Sequence, residues 1–126
     1  MALLVTAEDN EDLRAVITRS LERAGHTVIA TADGGQGLAA VREHRPDAVI
    51  TDVDMPVLTG LDLCRAVRED PDLRHTPVLV VSGSISTADP AAMDAGVTTI
   101  IGKPFTPVEL LHHLDEVLAH PSRQHR

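Results

Sequence analysis

The sequence predicts a doubly wound α/β fold: a parallel sheet of five strands in the order 2-1-3-4-5, with five helices packed on its two faces. Two observations carry that expectation. Five short apolar runs alternate strictly with five segments of helical periodicity, the pattern of repeated strand-helix-strand units. The runs are nearly continuous in apolar residues, as strands covered on both faces must be. The 126 residues suffice for one core and are too few for two. Right-handed crossovers set the hand of each unit, and 2-1-3-4-5 is the common order for five strands. Strands 1 and 3 then lie side by side where the winding reverses, and ligands bind beyond the carboxyl ends of strands at such a point.

Taken in order, Leu3-Leu4-Val5-Thr6-Ala7 is the first strand and stops at Glu8-Asp9-Asn10-Glu11-Asp12. Leu13, Val16, Ile17 and Leu21 then recur at helical spacing, and Gly25 suits the end of that helix. His26 to Ala30 forms the second strand. Asp33-Gly34-Gly35 turns it into a helix carrying Leu38, Ala39 and Val41, which Pro46 bounds. Ala48 to Thr51 is a short uncharged strand that breaks at Asp52, Asp54, Met55-Pro56 and Gly60. The helix after Gly60 places Leu61, Cys64 and Val67 on one face and ends near Asp70-Pro71. Pro77 opens Val78-Leu79-Val80-Val81, which halts at Ser82-Gly83-Ser84. Asp89-Pro90 reads as a helix cap followed by proline at the first helical position, leading to Gly96. Thr98 to Ile101 is the fifth strand, closed by Gly102-Lys103-Pro104-Phe105. Thr106 caps the last helix, with Glu109 in the reciprocal capping position.

Composition narrows the function classes. Apolar residues make up 43%, yet there is one Phe and no Trp or Tyr, so the core must be aliphatic. A formal charge of -8 argues against direct nucleic-acid binding, because phosphate backbones select basic faces. It leaves cation binding open. No apolar run approaches the roughly 20 residues that cross a bilayer, and the first residues do not read as a secretory leader. With a single cysteine, Cys64, the expected setting is the cytoplasm, without membrane association. Residues 1–120 are expected to form the domain, with 121–126 as a tail or linker stub.

Three acids converge at one end of the predicted sheet: Glu8 and Asp9 after the first strand, Asp52 after the third. Each has a plain alternative, since acids favour helix N-termini and Asp opens turns. Together, however, ionised carboxylates in a cleft repel one another unless pKa values rise or a cation intervenes. A hard divalent ion such as Mg2+, which takes oxygen ligands and keeps several waters, fits that set. Ser82 adds a hydroxyl and Lys103 an ammonium from two further strand ends. Singly these would be a turn residue and a surface charge; jointly they suit a bound anion. Asp52 is then a candidate nucleophile for phosphoryl transfer, forming an acyl phosphate. Gly83 leaves room for the incoming group. Cys64 is expected to pack, and the adjacent His112 and His113 point in different directions and do not chelate as an i, i+4 pair would.

From Leu3 to Leu118 the chain resembles the receiver domains of two-component response regulators, a flavodoxin-like fold. The resemblance rests on the acidic pair in LLVTAEDNEDLR, the acceptor in PDAVITDVDMPVLTGLDLCRAVR, the hydroxyl in PVLVVSGS and the lysine with Pro104 in AGVTTIIGKPF. It implies that Asp52 is the phosphoacceptor, taking its phosphoryl group from a phosphohistidine on a sensor histidine kinase or phosphotransfer protein. It further implies that Glu8, Asp9, Asp52 and the backbone carbonyl of Asp54 hold Mg2+, and that Ser82 and Lys103 contact phosphoryl oxygens. Such a domain catalyses only its own phosphorylation and dephosphorylation. It signals to a downstream protein target or an output domain through the fourth helix, fifth strand and fifth helix, a face that also serves homodimers. The sequence departs from the family at Ile100, where an aromatic switch residue is usual, at Thr59, usually Asp or Asn, and at Glu8, more often Asp.

Two rival readings follow from the same residues. Asp52-Val53-Asp54 resembles the nucleophile and acid/base pair of haloacid-dehalogenase-type phosphatases. In that family the motif closes the first strand and acids follow the lysine, whereas here it closes the third and Pro104-Phe105 follow. The second rival is a receiver-like docking module that is never phosphorylated.

Overall fold

The structure is a computed structural model, and it describes residues 1–83 and 89–119. Ser84, His120, His125 and the 121–126 tail lie outside the described residues. The strands are β1 (Leu3–Ala7), β2 (Thr27–Thr31), β3 (Ala48–Asp52), β4 (Val78–Ser82) and β5 (Thr99–Gly102). The helices are α1 (Glu11–Arg23), α2 (Gly34–His44), α3 (Gly60–Glu69), α4 (Pro90–Ala95) and α5 (Pro107–Ala119). All strand pairs are parallel, and the order is β2-β1-β3-β4-β5, as the alternation predicts.

The period-two geometry of the strands divides the core into two layers. Val5, Val49, Val78 and Val80 face α2, α3 and α4, packing with Val41, Leu63, Cys64, Val67 and Ala95. Leu4, Ala48, Ile50, Leu79 and Val81 face α1 and α5, against Ile17, Leu21, Leu110, Leu114 and Val117. Both layers are aliphatic; Phe105 packs only at the margin of the second. Cys64 is fully buried, and burial pushes its thiol up to about 11, which leaves it inert at neutral pH.

Several local expectations shift by a residue or a face. Asp52 and Ser82 end their strands rather than follow them, because they pair in register with Val81 and Gly102. β2 starts one residue late, as His26 uses its Nδ1 to accept from the Ala2 N–H at 3.0 Å. β5 also starts one residue late: the Thr98 hydroxyl accepts from the Val78 N–H and from Arg68. Val16 and Ala39 point to solvent, while Ala40 and Leu63 take core positions. Gly25, at φ 97°, lies just beyond the Ala24 cap of α1.

Arg68 joins α3 to the far end of α4. Its guanidinium donates to the carbonyls of Gly96, Arg74 and Thr76 at 3.0, 3.1 and 2.6 Å. The reciprocal cap of α5 forms as expected: Glu109 N–H donates to the Thr106 hydroxyl and Thr106 N–H to the Glu109 carboxylate.

Candidate functional site

The carboxyl ends of β1, β3, β4 and β5 bring the predicted residues to one edge of the sheet. Glu8 follows β1, where its N–H donates to the Thr31 carbonyl and prolongs the β1–β2 pairing. Arg14, from the first turns of α1, donates to the Glu8 carbonyl at 2.9 Å. The cap of α1 is Asn10, whose side chain accepts from Leu13 N–H, so neither acid is engaged as that cap. Glu8 instead turns inward and is 2% exposed, while Asp9 remains exposed.

Carboxylate oxygens of Glu8, Asp9 and Asp52 lie within 4.8 Å of one another. Lys103, one residue beyond β5, places Nζ 3.0 Å from Asp52 Oδ2 and 3.8 Å from Glu8 Oε1. Ser82, at the end of β4, is buried beside this edge. Asp54 sits in the loop after β3 with its side chain exposed. Gly83 has no crowding to relieve, since a Cβ there would meet only Lys103 Cβ at 3.7 Å.

Burial dominates the electrostatics. It raises the Glu8 carboxyl to about 7, against the lowering effect of the Asn10 N–H on its Oε2, and the Asp52 charge adds to the rise. Burial alone would lower Lys103, but its hydrogen bond to Asp52 and the charges of Glu8, Asp52 and Asp9 prevail, and it stands above its ordinary value. Asp52 Oδ1 accepts from Val53 N–H at 2.7 Å. Among the described residues, Glu8 Oε1 is buried with no hydrogen-bond partner. A buried carboxylate oxygen without a donor, facing two further carboxylates, is a donor set for a hard cation. The acidic cluster could therefore hold a divalent metal.

Sequence reasoning missed two participants. Asn10 and Arg14 orient Glu8, and an Asn directly before an amphipathic run is a readable cap signal. Lys103, which the sequence already placed at this edge, is also the internal counter-ion of two carboxylates, a pairing across 51 and 95 positions that no local pattern reveals. Ile100 is half-buried and lines a cavity of about 150 Å³ with Ala92, Met93, Val97, Thr98 and Thr99. His112 is exposed and its Nε2 lies 3.3 Å from Glu116. No helix among the described residues is long and apolar enough to cross a membrane.

A parallel sheet whose switch-point edge gathers acids, a hydroxyl and a lysine defines a doubly wound α/β domain with a candidate site for a cation and an anion. Residues 4–115 match the model of the response regulator receiver domain, and the chain belongs to that family. It is 35% identical over 120 residues to the response regulator MprA of Mycobacterium sp. (strain KMS), covering 94% of this chain and 51% of that relative. The chain thus spans about half the length of such relatives. Among solved structures, the chemotaxis response regulator CheY4 of Vibrio cholerae superposes with a TM-score of 0.88 at 34% identity, covering 93% of this chain and 98% of that one. The receiver domain of the sensor histidine kinase PA1611 from Pseudomonas aeruginosa, with magnesium coordinated in its active-site cleft, gives 0.85 at 28% identity, covering 94% and 98%.

Proposed function

We propose that this chain is a phosphorylation-activated switch of a two-component system in which Asp52 is the acceptor. The carrying observation is the convergence of the Glu8, Asp9 and Asp52 carboxylates with Lys103 Nζ 3.0 Å from Asp52 Oδ2. A carboxylate oxygen of Asp52 attacks the phosphorus of a phosphohistidine on a sensor kinase or phosphotransfer protein. The new O–P bond forms as the P–N bond breaks, and the departing imidazole takes up a proton. Mg2+, held by Glu8, Asp9, Asp52 and the Asp54 backbone carbonyl, would supply positive charge to the oxygens that approach one another.

Lys103 then exchanges its Asp52 oxygen for an oxygen of the phosphoryl group, and Ser82 binds another. Both lie at the ends of strands that flank α4, so their displacement favours one arrangement of the α4-β5-α5 face, which a downstream target, an output domain or a second copy reads. With Ile100 in place of an aromatic, the shift is carried by packing around the α4 cavity rather than by a ring rotation. On this reading the chain acts in the cytoplasm, residues 1–120 are the receiver, and 121–126 are a tail or linker stub. It turns over no external substrate.

Incubation with acetyl phosphate and Mg2+ tests the reading by intact mass. One added phosphate, lost in Asp52→Asn, supports it; no addition under any condition would favour a docking module instead. Hydrolysis of p-nitrophenyl phosphate that vanishes in Asp52→Ala would revive the phosphatase.

A further inference from the structure

The loop joining β3 to α3 is held in an unfavourable shape from outside. Val57 is β-branched, 82% exposed and at φ 72°, with Leu58 N–H donating back to the Pro56 carbonyl at 2.8 Å. That is a γ-turn with positive φ, a rare and strained conformation that persists only when the surroundings impose it. The surroundings here are the first residues of α2. Gly34 is buried, and a Cβ placed on it would overlap the Leu58 carbonyl oxygen and stand 2.7 Å from both Leu58 C and Leu58 Cβ. On Gly35 a Cβ would stand 3.0 Å from Val57 Cγ1.

The end of the same loop is equally constrained. Gly60 N–H donates to the Val53 carbonyl at 2.9 Å, and a Cβ on Gly60 would overlap the Asp52 carbonyl. With Asp52 in the sheet and Gly60 pinned against it, a push at Leu58 has one outlet, residues 54–57. We infer that Gly34 is a positioning residue for the metal site: the bare backbone at the start of α2 seats the β3–α3 loop and so sets where the Asp54 carbonyl stands. This rests on the Mg2+ reading above.

The test is calorimetric titration of the full chain with Mg2+, beside its thermal unfolding. Gly34→Ala is expected to remain folded by circular dichroism and to bind Mg2+ roughly tenfold or more weakly, as loss of outer-shell support does. Gly25→Ala, strained at φ 97° at the opposite edge of the sheet, is expected to lower the melting temperature yet leave affinity within about twofold. Wild-type affinity in folded Gly34→Ala overturns the inference. Should Gly34→Ala fail to fold, Gly35→Ala and its combination with Val57→Ala decide. A loss of affinity in the single variant, restored in the double, supports the seat; no loss, or no restoration, overturns it. A wild-type chain that binds no Mg2+ removes the metal reading itself, a different failure.

Discussion

The two ends of this sheet treat their polar groups in opposite ways. At the amino edge, polar side chains satisfy backbone groups: Asp47 Oδ2 accepts from Leu3 N–H at 2.8 Å, and His26 Nδ1 accepts from Ala2 N–H. At the carboxyl edge, carboxylates are buried against one another, Glu8 is raised to about 7, and Glu8 Oε1 has no donor among the described residues. The amino-edge contacts stabilise the fold; at the carboxyl edge like charges are crowded together, and Lys103 offsets part of their repulsion. The difference teaches where a cation would be stabilising: at the carboxyl edge, where like charges are crowded, rather than at the amino edge, where the acid already has a backbone donor.

Replacing Asp52, the proposed acceptor, should separate the two ends most sharply. Asp52→Asn is expected to abolish labelling by acetyl phosphate, read by intact mass, while the fold persists. Next is Lys103→Met, which leaves the Asp52 and Glu8 charges without their counter-ion. Metal-free stability at neutral pH should fall by about 2 kcal/mol, discounted because Lys103 is partly exposed, and saturating Mg2+ should recover most of it. Urea unfolding with and without Mg2+ measures both.

Glu8→Gln should act in the opposite direction. With its pKa raised from the ordinary 4.5 to about 7, Glu8 favours the folded state when protonated. Its contribution is therefore full below 4.5 and is lost as pH rises through about 7. Metal-free wild type should lose on the order of 3 kcal/mol across that window from this group, a slope absent in Glu8→Gln, while the variant binds Mg2+ more weakly. Unfolding between pH 5 and 8 reads it, and a wild-type slope identical to the variant's would contradict the burial argument. The smallest effect belongs to the amino edge: Asp47→Ala should cost about 0.5–1 kcal/mol and leave Mg2+ affinity unchanged.

How legible each feature was depends on the range of the interaction behind it. Strand and helix order could be read because apolar period and capping residues act over a few positions; Asp33, Thr59 and Asp89 all cap as their types suggest. The acids were legible because they end or directly follow strands and the strand order makes β1 and β3 neighbours. Boundaries slipped by a residue where a distant partner intervened, as His26 does for Ala2 and Thr98 for Val78. Val16 recurs at helical spacing with Ile17 and Leu21 yet is 43% exposed, because that spacing leaves a boundary residue free to face either way.

By itself, the sequence determined the alternation of elements, the aliphatic nature of both core layers and the set of acids that the strands deliver to one edge. Those follow from local periodicity and from the chirality of crossovers. Only the tertiary structure decided that Lys103 neutralises Asp52, that Glu8 is buried with an oxygen lacking a donor, and that α2 opens on bare backbone beneath a strained loop. These depend on ångström separations between segments far apart in the chain, and burial and Coulomb energies respond to those separations, not to order along the sequence.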